Sequence, residues 1–310
     1  MTLEGFAGIF SRYYVIGFFV PAFFAIFLCS LVAPDSFPGD YHDASGTAQV
    51  AIIGGVALLG GLILSGLHYH VTRFFEGYPL RRLKGKMAIG MLHDRLLKHW
   101  QDEFDRRTRV LNGPKSDART TAAQELGRCF PARREKILPT RFGNAVRSFE
   151  THGRKRYGLD GISSWPRIAM LLDDAEREQV TDAQTDVAFF LNVSVLAVAA
   201  AAFLVVDKLV HPAESTAGTA LLMAVIIISG TVVYWGSYRA STAAAMRWGS
   251  PVRAAFDLHR LELYDQLGLV QPADQQHEES IARAASRLLL YGEPIPDAYR
   301  QPPKPTKETT

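Results

Sequence analysis

Apolar residues along the chain are gathered into blocks rather than spread evenly. Four runs, residues 13–33, 48–67, 187–206 and 219–238, contain no Asp, Glu, Lys or Arg. At about 1.5 Å of helix rise per residue, each is long enough to cross a hydrocarbon core roughly 30 Å thick. One such run can be the core helix of a soluble protein; four together predict a polytopic membrane protein. Outside these runs the apolar period becomes that of an amphipathic helix. Leu83, Met87, Met91, Leu96, Leu97, Trp100 and Phe104 recur at helical spacing up to Asn112, Gly113 and Pro114, which end the pattern. Ser116 is an N-cap for a short helix towards Leu126, and Pro139 with Thr140 open another.

After Gly158 and Gly161, Ser163 or Ser164 is expected to cap a helix with Pro166 in its first turn. Beyond the fourth run, residues 239–267 continue as helix with a kink or restart at Pro251, Arg253 paired with Asp257 and Gly268 as a C-cap. A last amphipathic helix covers about 278–290. No stretch alternates with period two for long enough to claim a strand. The expected fold class is therefore all-α: four transmembrane helices plus a helical cytoplasmic domain. Residues 1–71 form an N-terminal hairpin with spans at about 13–33 and 48–71, and 72–186 a helical cytoplasmic segment. Residues 187–238 form a second hairpin with spans at 187–206 and 219–238, 239–290 a cytoplasmic helical tail, and the Pro-rich 291–310 a disordered end.

Charge gives the orientation. Residues 72–186 carry 23 Lys and Arg against 16 Asp and Glu, whereas 34–47 has Asp35, Asp40 and Asp43 and no Lys or Arg. Lys and Arg concentrate in cytoplasmic loops, so the middle segment and both termini are expected in the cytoplasm of a bacterial inner membrane. Pro34 directly after the first run, and the length of that run, argue for a retained helix rather than a cleaved signal. Cys29 and Cys129 then lie in different environments, outside any Cys-x-x-Cys frame, and imply neither disulfide nor zinc site.

Within the spans, Gly54, Ala57, Gly61 and Ser65 form a small-residue stripe. Such stripes pack helices within a subunit, join subunits or line a pore. Pro21 is expected to kink the first span, and Asn192 and Ser194 to bond between helices. The span interiors carry no acidic or basic side chain, which argues against a proton-coupled transporter or a voltage sensor.

Motifs for chemistry are missing. There is no G-x-x-x-x-G-K-[ST] loop and no G-x-S-x-G elbow. His68 and His70 diverge on a helix, and His99 with Glu103 reads as an exposed i, i+4 pair. No cofactor, metal or enzymatic activity is expected. Arg73, Arg81, Arg82, Lys84 and Lys86, interleaved with aromatics beneath the second span, are candidate contacts for anionic lipid headgroups. Nucleic acid is not an expected partner, because the excess of positive charge is diluted by acids. The remaining pattern is LPTRFGNAVRSFETHGRKRYG at 138–158. Arg141, Asn144, Arg147, Glu150 and Arg154 recur at spacings of three and four beside Phe142, Val146 and Phe149. Their side chains suit a structural polar network reaching the RYGLD and WPR segments, with an anion or partner site as the alternative.

LPTRFGNAVRSFE, RYGLDGISSWPR and AAFDLHRLELYDQLG resemble recurring segments of a group of uncharacterised bacterial membrane proteins, frequent in actinobacteria, with the same helix order. That resemblance implies the four-span topology and no particular chemistry. The helix order is also similar to that of bestrophin-type anion channels, as architecture only. The functional expectation is a homo-oligomeric channel or pore-like protein with a cytoplasmic helical vestibule. A membrane-anchored adaptor that recruits a cytoplasmic protein partner is the alternative.

Overall fold

The computed structural model describes residues 11–82, 87–213 and 215–302. In chain order the main helices are α1 (Arg12–Val32), α2 (Gly46–Phe75), α3 (Met87–Leu111), α4 (Asp117–Cys129), α5 (Arg141–Glu150), α6 (His152–Tyr157), α7 (Gly161–Leu171), α8 (Asp174–Val210), α9 (Thr216–Gln266) and α10 (Gln275–Tyr291). Among the described residues no strand forms, and the β pairing is one isolated bridge between Leu269 and Arg300. Helices α1, α2, α8 and α9 are long and apolar enough to cross a membrane, so the chain is an all-α, multi-pass membrane protein.

The chain divides into two compact units: a membrane unit, Met1–Arg82 with Thr181–Ala245, and a polar unit, Leu83–Val180 with Met246–Thr310. Helices α8 and α9 contribute to both. The segment boundary at 186/187 falls inside helix α8, and α9 continues past 238 as expected. Helix α8 begins instead at a reciprocal cap, in which Asp173 Oδ1 accepts from the Glu176 amide (2.8 Å) and Glu176 Oε2 from the Asp173 amide (3.1 Å).

In the membrane unit, α1 contains one π turn over Val15–Phe19 just before Pro21. Pro21 has no N–H to offer the Gly17 carbonyl four residues back, and the fully buried Asn192 amide donates to that carbonyl at 2.8 Å. Gly17 keeps α1 close to α8, since a Cβ there would lie 3.3 Å from that of Ala188. Helices α1 and α2 meet where Tyr14 donates to the Leu58 carbonyl at 2.7 Å and Tyr14, Phe18, Ala22, Ala57 and Leu64 pack together. The two return spans are joined by a Ser194–Ser237 hydroxyl bond of 2.8 Å. Near the loop ends, the Asp207 carboxylate is buried and holds Ser36 (2.6 Å), Lys208 (2.8 Å) and His211 (3.2 Å).

In the polar unit, α5 is buried on nearly every side. Thr140 caps it as expected, accepting from the Gly143 amide at 3.0 Å, and Ser116 caps α4. Two proline expectations are corrected. Helix α7 is capped by Asp160, not by Ser163 or Ser164, and Pro166 lies inside it. Helix α9 runs through Pro251 without a restart, one of the two alternatives there. Packing outweighs the lost backbone bond there: Trp248 stacks edge-on against Phe149 at 4.9 Å, and Val252, Ala255 and Phe256 are buried. The tail expected to be disordered is placed as far as Pro302. Val270 and Gln301 donate backbone bonds to Tyr299 and Gly268, fastening it to the turn after α9; residues 303–310 lie outside the described ones.

Candidate functional site

A set of buried and half-buried polar groups lies in the polar unit, where α6, α9 and α10 meet. Asp257 Oδ1 accepts from the Tyr157 hydroxyl (2.7 Å) and bonds His152 Nε2 (2.8 Å). Arg260, one turn along, lies 4.1 Å above the Tyr157 ring, donates to Glu278 Oε1 at 2.7 Å and also donates to the Asp257 carbonyl. Tyr264 is fully buried beside them, its hydroxyl without a partner. The sequence places these groups together by three local devices. Gly158 ends α6 in the left-handed conformation (φ +80°), turning the chain into Leu159 and Asp160. Gly161 opens α7 against α5 so closely that a Cβ would overlap the Glu150 carbonyl oxygen. Ser286 of α10 accepts the Asp160 amide at 2.9 Å.

The electrostatics are those of a cross-link. Burial alone would raise the Asp257 carboxyl, but the hydrogen bonds from Tyr157 and His152 outweigh it and hold Asp257 below the ordinary range. Burial, reinforced by Asp257, pushes the Tyr157 hydroxyl up, and burial with Glu278 nearby does the same to Tyr264. A second cross-link joins the start of α8 to α9. His259 Nε2 lies 2.9 Å from Glu176 and Nδ1 lies 3.3 Å from Glu262. Burial works against the charged ring, and the two carboxylates overcome it, so His259 titrates above its ordinary value. On α3, hydrogen bonds from Arg106, against partial burial, and from Arg107 bring Glu103 down to about 2. Glu103 thus serves Arg106 and Arg107 in place of the expected pairing with His99, whose ring lies edge-on to Trp100.

As chemistry, an Asp–His pair resembles the orienting half of a general base. Catalysis by such a pair also needs a nucleophile on the other ring nitrogen. Among the described residues no Ser, Thr or Cys side chain bonds His152, and no group of three or more His, Cys, Asp or Glu is placed to hold a metal. Both cysteines are free, with Cys129 Sγ 3.7 Å from Met246 Sδ.

The five residues of the 138–158 pattern do not converge. Asn144 is fully buried and folded back on the preceding loop: Oδ1 accepts the Leu138 amide at 2.7 Å and Nδ2 donates to its carbonyl at 2.9 Å. Arg147 pairs with Glu150 at 2.9 Å on the half-buried edge. Arg141 is exposed, and Arg154 stands 4.0 Å from Asp160 with its side chain mostly in solvent. Arg154 thus reaches RYGLD through Asp160, and His152 and Tyr157 supply bonds to Asp257 of α9. The expected Arg253–Asp257 pair gives way to this arrangement, because Asp257 is occupied and Arg253 points at Ser148 (3.5 Å). Spacing along the sequence holds no signal for Asp257, whose partners are 100 and 105 residues away.

The small-residue stripe is used in part. Ala57 and Gly61 are buried with Ile53 and Leu64, and a Cβ on Gly61 would sit 2.8 Å from the Tyr14 hydroxyl. A Cβ on Gly54 would meet nothing within 4 Å, and Ser65 is exposed. The packing stripe is therefore Ile53, Ala57, Gly61 and Leu64, which corrects Gly54 and Ser65 as contact residues within the chain. Of the candidate headgroup contacts, Arg73 binds Glu76 at 3.0 Å and lies over the Tyr78 ring at 4.2 Å. Arg81 and Arg82 end the short helix Tyr78–Arg82, with side chains outside the description, and Lys84 and Lys86 lie outside the described residues.

Compared with known proteins, the chain matches no family and shows no significant similarity to a curated protein or to a solved structure.

Proposed function

We propose that the protein is a membrane-anchored scaffold. Its spans hold copies of the chain together in the bacterial inner membrane, and the polar unit stands in the cytoplasm as a rigid docking module for a protein partner. The observation that carries the assembly is the fourth span: only 6% of its most apolar stretch is buried inside the chain, against 33% for the first. Its outward side, with Val225, Ile228, Ser229, Val232 and Gly236, is open, and a Cβ on Gly236 meets nothing within 4 Å. Small residues on such faces let helices of neighbouring copies approach closely. The excess of Lys and Arg in residues 72–186 supports the cytoplasmic side for the polar unit. The resemblance to four-span actinobacterial proteins is consistent with this topology.

A pore between copies is the second reading, favoured by the same uncovered span. Weight shifts towards the anchor because several polar side chains of the spans already bond inside the chain. Asn192 donates to Gly17, Ser194 bonds Ser237, and Ser229 and Thr231 bond carbonyls of their own helix. Ala57 and Gly61 are filled by α1 rather than facing a passage. Reconstitution of the full chain in liposomes separates the readings. A scaffold gives ion flux equal to that of protein-free vesicles. Flux that responds to substitution of Ser229 or Gly236 would establish the pore instead.

A further inference from the structure

One corner of the polar unit carries positive charge that no acid balances. The end of α4, the middle of α5 and the polar part of α9 meet there: Cys129 Sγ lies 3.7 Å from Met246 Sδ, and the Ser148 hydroxyl donates to the Arg128 carbonyl at 3.0 Å. Arg253 follows Met246 by about two helical turns and so shares its side of α9. Its side chain leans back along the helix over Gly249, where a Cβ would come 2.9 Å from Arg253 Nη1 and 2.7 Å from the Phe149 ring. Gly249 therefore makes the room in which this guanidinium lies half-buried. Nη1 donates to the Ser148 hydroxyl at a long 3.5 Å.

The acids of this corner are already taken. Asp257, one turn beyond Arg253, is held by Tyr157 and His152, and Glu125 by Arg107 at 2.6 Å. Among the described residues neither Arg253 nor the exposed Arg128 forms an ion pair with a carboxylate. Burial, to which Arg128 adds repulsion, pushes the Arg253 guanidinium down against the pull of Asp257, so the two arginines act on each other. A guanidinium cannot shed its proton at neutral pH to escape that cost. Groups of this kind leave water in company with a counter-charge. Two arginines from separate helices, one fixed against Gly249 and Phe149 and one exposed beside it, form the donor set of an oxyanion site, and their two charges match a dianion.

We infer that Arg253 and Arg128 bind a phosphate dianion, as inorganic phosphate or a phosphate monoester, at this corner of the polar unit. The site depends neither on assembly of the spans nor on a docked partner. In the test, the full chain in mild detergent is dialysed to equilibrium against radiolabelled inorganic phosphate at neutral pH and constant ionic strength, and one phosphate per chain is expected. Arg253→Gln and Arg128→Gln should each weaken binding about tenfold, the scale of a hydrogen bond to a charged group. Arg287→Gln, at an exposed pair with Glu293 on α10, should leave it unchanged. Thermal unfolding separates a ligand-binding arginine from a structural one. Without phosphate, Arg253→Gln should melt no lower than the unaltered chain, because it removes a half-buried charge that has no counter-ion. On adding phosphate, the unaltered chain should gain stability and the variant should not. Absence of phosphate binding by the unaltered chain overturns the inference, as does full binding by both arginine variants. A lower melting temperature of Arg253→Gln in phosphate-free buffer would make that arginine structural and overturn it too. Displacement of phosphate by an equal concentration of acetate would reassign the corner to carboxylates.

Discussion

Two fully buried asparagines mark the difference between the two units. In the polar unit, Asn144 uses both ends of its amide to close a loop onto the backbone of Leu138. In the membrane unit, Asn192 donates to Gly17 and its Oδ1 has no partner. The first is a complete local bracket in a region that also carries long-range ionic cross-links. The second repairs one backbone defect, at the π turn ahead of Pro21, in a region otherwise held by close contact of small residues. The polar unit therefore resolves its specificity internally, through groups matched across 100 residues and more. The membrane unit keeps its apolar outer faces, above all that of α9, for lipid or for other copies.

Substitutions can break or sharpen that contrast. The largest effect is expected from a matched pair of glycines. Gly161→Ala forces a Cβ into the Glu150 carbonyl and should destabilise the polar unit by about 3 kcal/mol. Gly55→Ala, where a Cβ meets nothing within 4 Å, should be neutral or slightly stabilising. Thermal unfolding followed by tryptophan fluorescence compares them, and equal losses would dissolve the distinction. Next come the asparagines. Asn144→Leu leaves an amide and a carbonyl of Leu138 buried without partners and should cost about 2–3 kcal/mol. Asn192→Leu should cost about 0.6 kcal/mol, the usual scale of a polar contact between membrane helices.

A comparable effect is expected at Asp257, where Asp257→Asn should remove about 0.5 kcal/mol at neutral pH, because solvent screens its partly exposed carboxylate. Because the folded-state value of Asp257 lies below its ordinary 3.8, its stabilisation is complete above that value and is lost as pH falls through the depressed one. The variant should therefore show a flatter acid limb in a pH series of melting temperatures. His259 has the opposite sign. Its value is raised above 6.5, so the Glu176 clamp is fully stabilising below pH 6.5 and fades as pH rises through the raised value. His259→Gln should remove that slope at a cost of about 0.5 kcal/mol, typical of a partly exposed pair. A steeper loss of stability with rising pH in the variant would refute the clamp.

Much of this architecture was legible in the residue pattern. Uncharged runs locate the spans, because desolvating a charge in hydrocarbon is costly enough to leave a plain mark in sequence. Thr140 and Ser116 are readable as caps because the capping bond reaches only three residues. The failures share a cause as well. Pro251 reads as a kink or restart and Pro166 as a first-turn residue, but both lie inside continuous helices, where packing such as that of Trp248 on Phe149 accompanies the lost backbone bond. Asn144 falls on a three-and-four spacing with Arg141 and Arg147, yet its partner Leu138 lies six residues upstream, off that spacing. The same spacing pairs Asp257 with Arg253, whereas the tertiary fold gives it to His152 and Tyr157. Residues whose role is set by partners distant in sequence leave no periodic signal.

The central claim, that the uncovered fourth span joins copies of the chain, is tested most directly by the mass of the intact particle. The full-length protein, extracted in mild detergent and measured by light scattering with the detergent contribution subtracted, should give a single species at an integral multiple, two or greater, of the 34.3 kDa chain. Gly236→Trp should shift that species towards one chain without unfolding it. A monodisperse particle of 34.3 kDa from the unaltered protein would contradict the claim.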